Sequence, residues 1–221
     1  MKKLTIVANW KSNMTSGEAI QWLQEFPISQ IQSHTSSKEI VICPPFTLLN
    51  QLKWYVTEKK LPFQIGSQDV SPFPRGAYTG EVAADLLKEF VTYSIIGHSE
   101  RRKYFHEDGQ MLANKVDLAH SSDLTVIFCV QGANTSIPKG VRVVAYEPVF
   151  AIGTGEPDSP ENAESVARSI SDNTQVEMVL YGGSVTEKNV SSFTKMEHIR
   201  GVLVGTASLN PSSFAQIIAN A

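Results

Sequence analysis

Eight short apolar runs, rich in valine and isoleucine and separated by stretches of helical period, constrain this chain more than any other feature. They fall at residues 4–8, 40–43, 63–66, 93–97, 125–130, 141–146, 178–181 and 201–205. Their near-continuous apolar character is that of parallel strands covered on both faces. Between most of them lie helical segments. Thr15 or Ser16 can cap a helix carrying Ala19, Ile20, Leu23 and Phe26, and residues 46–59 form the next. Thr79-Gly80-Glu81 opens a third, with Val82, Leu86 and Phe90 along one face. Further helices are expected at 110–120, 160–171, 186–195 and 211–220, the first of 160–171 being Pro160 after Asp158 or Ser159. Eight βα units in 221 residues predict an α/β protein with a closed (β/α)8 barrel, residues 1–221 as one domain. The alternative is an open doubly wound sheet, but no Gly-x-Gly-x-x-Gly follows the first run.

One unit departs from the pattern. Between the fifth and sixth runs lie only residues 131–140, with two glycines, a proline and no amphipathic period. A parallel crossover usually needs a dozen or more residues and a helix. Ten extended residues nevertheless span about 33 Å, more than the ~17–20 Å of a typical strand. The fifth helix is therefore expected to be missing, replaced by an extended strap with Ile137 and Pro138 over apolar side chains of the fifth and sixth strands.

With 42% hydrophobic and 19% charged residues the chain can bury a large core and is not a disordered polymer. The net charge of −3, with no basic run beyond Arg101-Arg102-Lys103, argues against nucleic-acid binding. The apolar start at residues 4–8 breaks too soon, at Asn9-Trp10-Lys11, for a signal peptide, and no run reaches membrane-spanning length. A cytoplasmic protein is the expectation. Cys43 and Cys129 sit in strand-like runs and read as buried free thiols, and metal spacing motifs are absent.

In such barrels the active site is built at the C-terminal ends of the strands. The first run ends in Asn9-Trp10-Lys11 and the fourth in Gly97-His98-Ser99-Glu100-Arg101-Arg102. An imidazole there can polarise a carbonyl, although Glu100 and Arg101 also fit a salt-bridged turn. The sixth run ends in Tyr146-Glu147-Pro148, where a carboxylate is costly unless paired or used. The next residues, 148–155, are apolar, end in glycines and have the composition of a lid. The seventh and eighth runs end in Tyr181-Gly182-Gly183-Ser184 and Val204-Gly205-Thr206. Tight turns of this kind expose backbone N–H groups to an anion, and a phosphate site after strands seven and eight is a habit of this fold.

Together the segments Ala8-Asn9-Trp10-Lys11, Gly76-Ala77-Tyr78-Thr79-Gly80-Glu81, Ile96 to Arg102, Ala145-Tyr146-Glu147-Pro148-Val149, Ala151-Ile152-Gly153-Thr154-Gly155, Tyr181 to Val185, and Leu203-Val204-Gly205 with Ala207-Ser208-Leu209 resemble the triosephosphate isomerase family over essentially the whole chain. The resemblance implies a TIM barrel that interconverts dihydroxyacetone phosphate and glyceraldehyde 3-phosphate through an enediolate, in glycolysis and gluconeogenesis, with no cofactor or metal. It implies Glu147 as base, His98 as electrophile and Lys11 as the cation that steadies enediolate and phosphate, with Asn9 beside it. It places the phosphate on N–H groups of Gly153, Ser184, Gly205 and Thr206, and gives Glu100 a supporting role. It further implies a homodimer in which the loop 68–81 brings Thr79 to complete the other subunit's site. The chain departs from the family where Phe150 replaces a tryptophan, where Thr206 replaces a second glycine, and where Gln131-Gly132 lacks a glutamate after strand five. The competing reading is a phosphate-binding or scaffold barrel that lost catalysis, which the intact Lys11, His98 and Glu147 argue against. A different barrel enzyme of sugar phosphates would share the turns but not the Glu147 segment.

Overall fold

The computed structural model describes residues 3–151 and 156–221. Eight parallel strands close into a barrel in sequence order: β1 (Leu4–Asn9), β2 (Lys38–Cys43), β3 (Gln64–Ser67), β4 (Tyr93–Ile96), β5 (Thr125–Val130), β6 (Val143–Tyr146), β7 (Met178–Tyr181) and β8 (Ile199–Val204). The register runs from Leu4 against Lys38 on one side of β1, and Thr5 against Gly201 closes the ring. Outside lie α1 (Ser16–Glu25), α2 (Ile28–Ile31), α3 (Leu49–Glu58), α4 (Ala84–Leu87), α5 (Ser99–Tyr104), α6 (Gly109–Ser121), α7 (Pro160–Asn173), α8 (Val190–Thr194) and α9 (Pro211–Asn220).

The continuous apolar runs are explained by two separate cores. Alternate residues of each strand point to opposite faces. Along β5, Ile127 and Cys129 enter the barrel interior with Val7, Val41, Cys43, Ile95 and Leu180. Val126, Phe128 and Val130 face the helices, in the larger core. Both cysteines are buried free thiols in the interior set.

Helix starts follow the local chemistry. Thr15 and Glu18 form a reciprocal capping box at α1. Asp108 caps α6 through Met111 N–H, and Ser159, rather than Asp158, caps α7 with Pro160 in the first turn. Two helical expectations change, and the short helices α2 and α5 were not expected. The third helix shrinks to Ala84–Leu87, because Gly80 sits at φ +95° and Ser71 N–H ties to Val82 O, which commits the residues before it to a loop. The helix expected at 186–195 is Val190–Thr194, since Asn189 Oδ1 accepts from Thr186 N–H in a turn. Ser99–Tyr104 is helical although its sequence has no apolar period.

The fifth helix is missing. Residues 131–140 run as bends and turns, with Gln131 N–H donating to Thr135 Oγ1 and Thr135 N–H to Gly132 O. Ile137 packs half-buried on the main core. The outward side chains of β5 and β6 remain buried beneath this reduced cover. No helix among the described residues is long and apolar enough to cross a membrane.

Candidate active site

Strand alternation decides which side chains reach the barrel mouth. Val143 and Ala145 point inward on β6, so the next inward position is Glu147. Val7 points inward on β1, so Asn9 does as well. A cavity of about 430 Å³ at this mouth gathers Asn9, Lys11, His98, Glu147, Ser184, Gly205 and Thr206. That volume suits a small ligand.

Lys11 leaves β1 in a left-handed conformation, φ +52°, rare for a side chain of its size. Two side chains hold it there: Asn9 Oδ1 accepts its N–H at 3.0 Å, and Gln68 Nε2 donates to its carbonyl at 2.9 Å. Its ammonium pairs with Glu100 Oε1 at 2.6 Å. The side chain passes over the β8 turn, close enough that a Cβ on Gly205 would meet Lys11 Cε at 3.5 Å.

His98 is the N-cap of α5. Its Nδ1 accepts from Glu100 N–H at 3.2 Å. A ring nitrogen that accepts a backbone N–H carries no proton, so this contact assigns the imidazole proton to Nε2. Nε2 faces Glu147 Oε1 at 2.8 Å. The other carboxylate oxygen accepts Ser99 N–H at 2.8 Å, and Glu147 is only 1% exposed. The Glu147 backbone is fixed by its own N–H to Val130 O and by Gly182 N–H to Tyr146 O. The Cys129 thiol also bonds the carboxylate; burial first, then the Glu147 charge, push that thiol far above the ordinary range.

Behind His98, Arg102 spans from Gly97 O (2.7 Å) to Cys129 O (2.9 Å), stitching the β4 turn to the end of β5. Gly97 adopts φ +73°, and a Cβ there would strike Arg102 Nη2 at 2.9 Å. Arg101 turns away into a buried quartet. It reaches Asp69 and Glu107, and Lys115 of α6 reaches the same two carboxylates. Burial pushes Asp69 up to about 6, against the pull of Lys115 and Arg101.

The two turns expected to hold an anion flank the cavity. Gly183 is a glycine of necessity, since a Cβ would lie 2.1 Å from the Tyr181 hydroxyl. Ser184 Oγ donates to Ala151 O at 2.7 Å. Thr206 opens a 3-10 turn (Thr206–Leu209) and is not among the described non-glycine residues with positive φ, so its N–H is free of the backbone conflict a β-branched residue would bring.

Of the residues singled out from sequence, Thr79 lies outside this cavity, on the exposed stretch 73–81 of the loop after β3, and Gly153 lies outside the described residues. Glu100 is the ion-pair partner of Lys11. Of the segment read as a lid, residues 152–155 also fall outside the described residues, while Val149 and Phe150 are exposed. Ser99, Gln68 and Arg102 were not anticipated. Ser99 and Gln68 act through backbone contacts that residue type does not advertise, and Arg102 stood out only as a member of the short basic run Arg101-Arg102-Lys103.

A closed parallel barrel with carboxylate, imidazole and ammonium converging at the C-terminal mouth is a (β/α)8-barrel enzyme. Comparison with known proteins is specific. The family model described as triosephosphate isomerase matches residues 4–141 and 133–221, two segments that overlap within the strap between β5 and β6. The chain is 37% identical to triosephosphate isomerase of Dictyoglomus turgidum and 39% identical to that of Dictyoglomus thermophilum, covering 99% of both chains in each case. The crystal structure of triosephosphate isomerase from Bartonella henselae superposes with a TM-score of 0.81 at 27% identity, over 97% of each chain. The chain belongs to the triosephosphate isomerase family, and is an isomerase by that membership.

Proposed function

We propose that this barrel interconverts dihydroxyacetone phosphate and D-glyceraldehyde 3-phosphate by moving one proton between adjacent carbons, with the whole chain acting as one domain in the cytoplasm. The observation that carries the reading is the pairing of Glu147 and His98 at 2.8 Å in the cavity that also receives Lys11. Glu147 takes a proton from the carbon beside the carbonyl, the C–H electrons form the enediolate double bond, and the carbonyl oxygen takes up the charge. His98, with its proton on Nε2, donates to that oxygen. Its donor now faces Glu147, so an arriving carbonyl takes it over and frees the carboxylate for the carbon. Lys11 leaves Glu100 for the more negative ligand. Protonated Glu147 then returns the proton to the neighbouring carbon, while the hydroxyl on the first carbon gives up its proton, relayed by His98, to the charged oxygen, so that carbonyl and hydroxyl exchange places. Backbone N–H groups of Ser184, Gly205 and Thr206, with Gly153, hold the phosphate, and Asn9 keeps Lys11 in its left-handed conformation. The chemistry needs no cofactor or metal.

The test is a coupled spectrophotometric assay of glyceraldehyde 3-phosphate isomerisation. Glu147→Gln should lose about 10²–10⁴-fold in kcat, the usual contribution of a general base, with KM little changed. Wild-type turnover no greater than that of the variant would instead favour a phosphate-binding barrel without catalysis.

The same reading includes a homodimer through residues 68–81. That loop is preformed: Phe73 and Tyr78 stack at 4.4 Å, Phe73 N–H donates to Ser71 Oγ, and Arg75 pairs with Asp85 of α4. Both rings are about two-fifths exposed, as is Phe46 after β2. Apolar rings on a rigid projecting loop favour a pocket on another copy, and Thr79 at its tip then reaches the partner's cavity.

A further inference from the structure

Asp158 is a buried charge that the proposed reaction does not use. It lies between the segment after β6 and the start of α7 and is 7% exposed. Among the described residues no lysine, arginine or histidine nitrogen pairs with it, so its carboxylate rests on neutral donors. Ser159 N–H donates to Oδ1 at 2.8 Å, while Asn162 Nδ2 at 2.7 Å and the Tyr146 hydroxyl at 3.1 Å donate to Oδ2. Its own N–H donates to the Tyr181 hydroxyl at 2.8 Å. Two of these contacts serve the start of α7, where a carboxylate is favoured in any protein. The contact to Tyr146 does not. Tyr146 points out of the barrel into the helix layer, and its neighbour Glu147 points in. Burial, then the Asp158 charge, push the Tyr146 hydroxyl well above its ordinary range, which keeps it a donor.

We propose that Asp158 is a positioning residue for catalysis: by holding the Tyr146 hydroxyl outside the barrel, its carboxylate adds a third anchor, beside the two strand bonds, to the peptide that aims Glu147 inside it. The ring is a rigid lever with one end hydrogen-bonded and the other on the backbone next to the base. The peptide between residues 146 and 147 already bonds Val130 through its N–H and Gly182 through its carbonyl, and fixing the hydroxyl adds a third anchor that keeps those two bonds in place. The proposal rests on Glu147 being the base. It assigns to Asp158 no contact with substrate.

The experiment compares Tyr146→Phe, Asp158→Ala and the double variant with wild type in the coupled assay. Thermal midpoints and hydrogen exchange at the amides of 146–147 are measured in parallel. Tyr146→Phe removes one oxygen and leaves the ring packed, so it tests the idea even if Asp158→Ala fails to fold. Both single variants should lower kcat about tenfold, as a small misplacement of a reacting group does, with KM within about twofold and faster exchange at 147. The double variant should be no slower than the worse single variant, because both break the same bond. Unchanged kcat and unchanged exchange at 147 with a lowered midpoint would overturn the proposal and leave Asp158 as a helix anchor only. If wild type itself shows no turnover, the isomerase reading fails. The exchange data then decide separately: faster exchange at 147 in Tyr146→Phe supports the lever, and unaltered exchange refutes it.

Discussion

At the scale of single residues, the site combines side chains whose identity carries the chemistry with positions where only the backbone matters. In the proposed mechanism Thr206 belongs to the second kind. Its hydroxyl makes no hydrogen bond to the described residues. If the phosphate is held by its N–H, Thr206→Gly should leave kcat unchanged and shift KM by about threefold or less, the effect of added backbone freedom. A KM raised more than tenfold would mean that the hydroxyl itself binds. Gly183 is the opposite case. Gly183→Ala places a methyl group on the Tyr181 hydroxyl and forces ring or turn to move. The cost should be about 1–3 kcal/mol, as for overpacking, read as a lower unfolding midpoint together with a raised KM.

At the scale of elements, the strands were legible because burial on both faces leaves an uninterrupted apolar signature, as residues 125–130 show. The missing fifth helix was legible from length and from Gly132, Pro138 and Gly140. The helix at Ser99–Tyr104 was not, because Ser-Glu-Arg-Arg-Lys-Tyr carries no apolar stripe; it is held by the His98 cap and by contacts of its arginines with the barrel. Lys11, His98 and Glu147 could be singled out from sequence because each is a polar residue at the end of an apolar run. Asp158 could not, because an acid before Pro160 reads as a helix cap, and only the fold shows Tyr146 reaching it. The strap holds its place through a thin contact, so Ile137→Ala should destabilise by about 1–2 kcal/mol, below the 2–5 of a fully buried isoleucine. A chemical-denaturation midpoint would measure it.

At the scale of the whole molecule, the Asp69–Arg101–Glu107–Lys115 quartet joins the loop after β3 to α5 and α6 through ion pairs. Asp69 is pushed up to about 6, above its ordinary value of 3.8, because burial disfavours the anion. The folded chain therefore binds this proton more tightly than the unfolded chain. The stability that Asp69 contributes is fully present below about pH 4 and is lost as pH rises through about 6. Asp69→Asn imitates the protonated form. The stability difference between wild type and this variant should thus move against wild type between pH 4 and 7, by on the order of 2–3 kcal/mol. Denaturation midpoints of both proteins across that range would show it, and a difference independent of pH would contradict the shift. For the proposed dimer, Tyr78→Asp should give the mass of a single chain by sedimentation where wild type gives twice that mass.

The helix-free strap also changes where this ring of strands can be opened. Leu4 pairs with Lys38, and Lys38 Nζ bonds Ile218 O at 2.6 Å, so the first strand and the last helix meet at one edge. A circularly permuted chain, with its old ends spliced by a few glycines and its new ends cut between Ala133 and Asn134, would break no helix and no strand. It should refold to the same far-ultraviolet dichroism as the parent, with the seam moved to a crossover that, among the described residues, has no helix to lose.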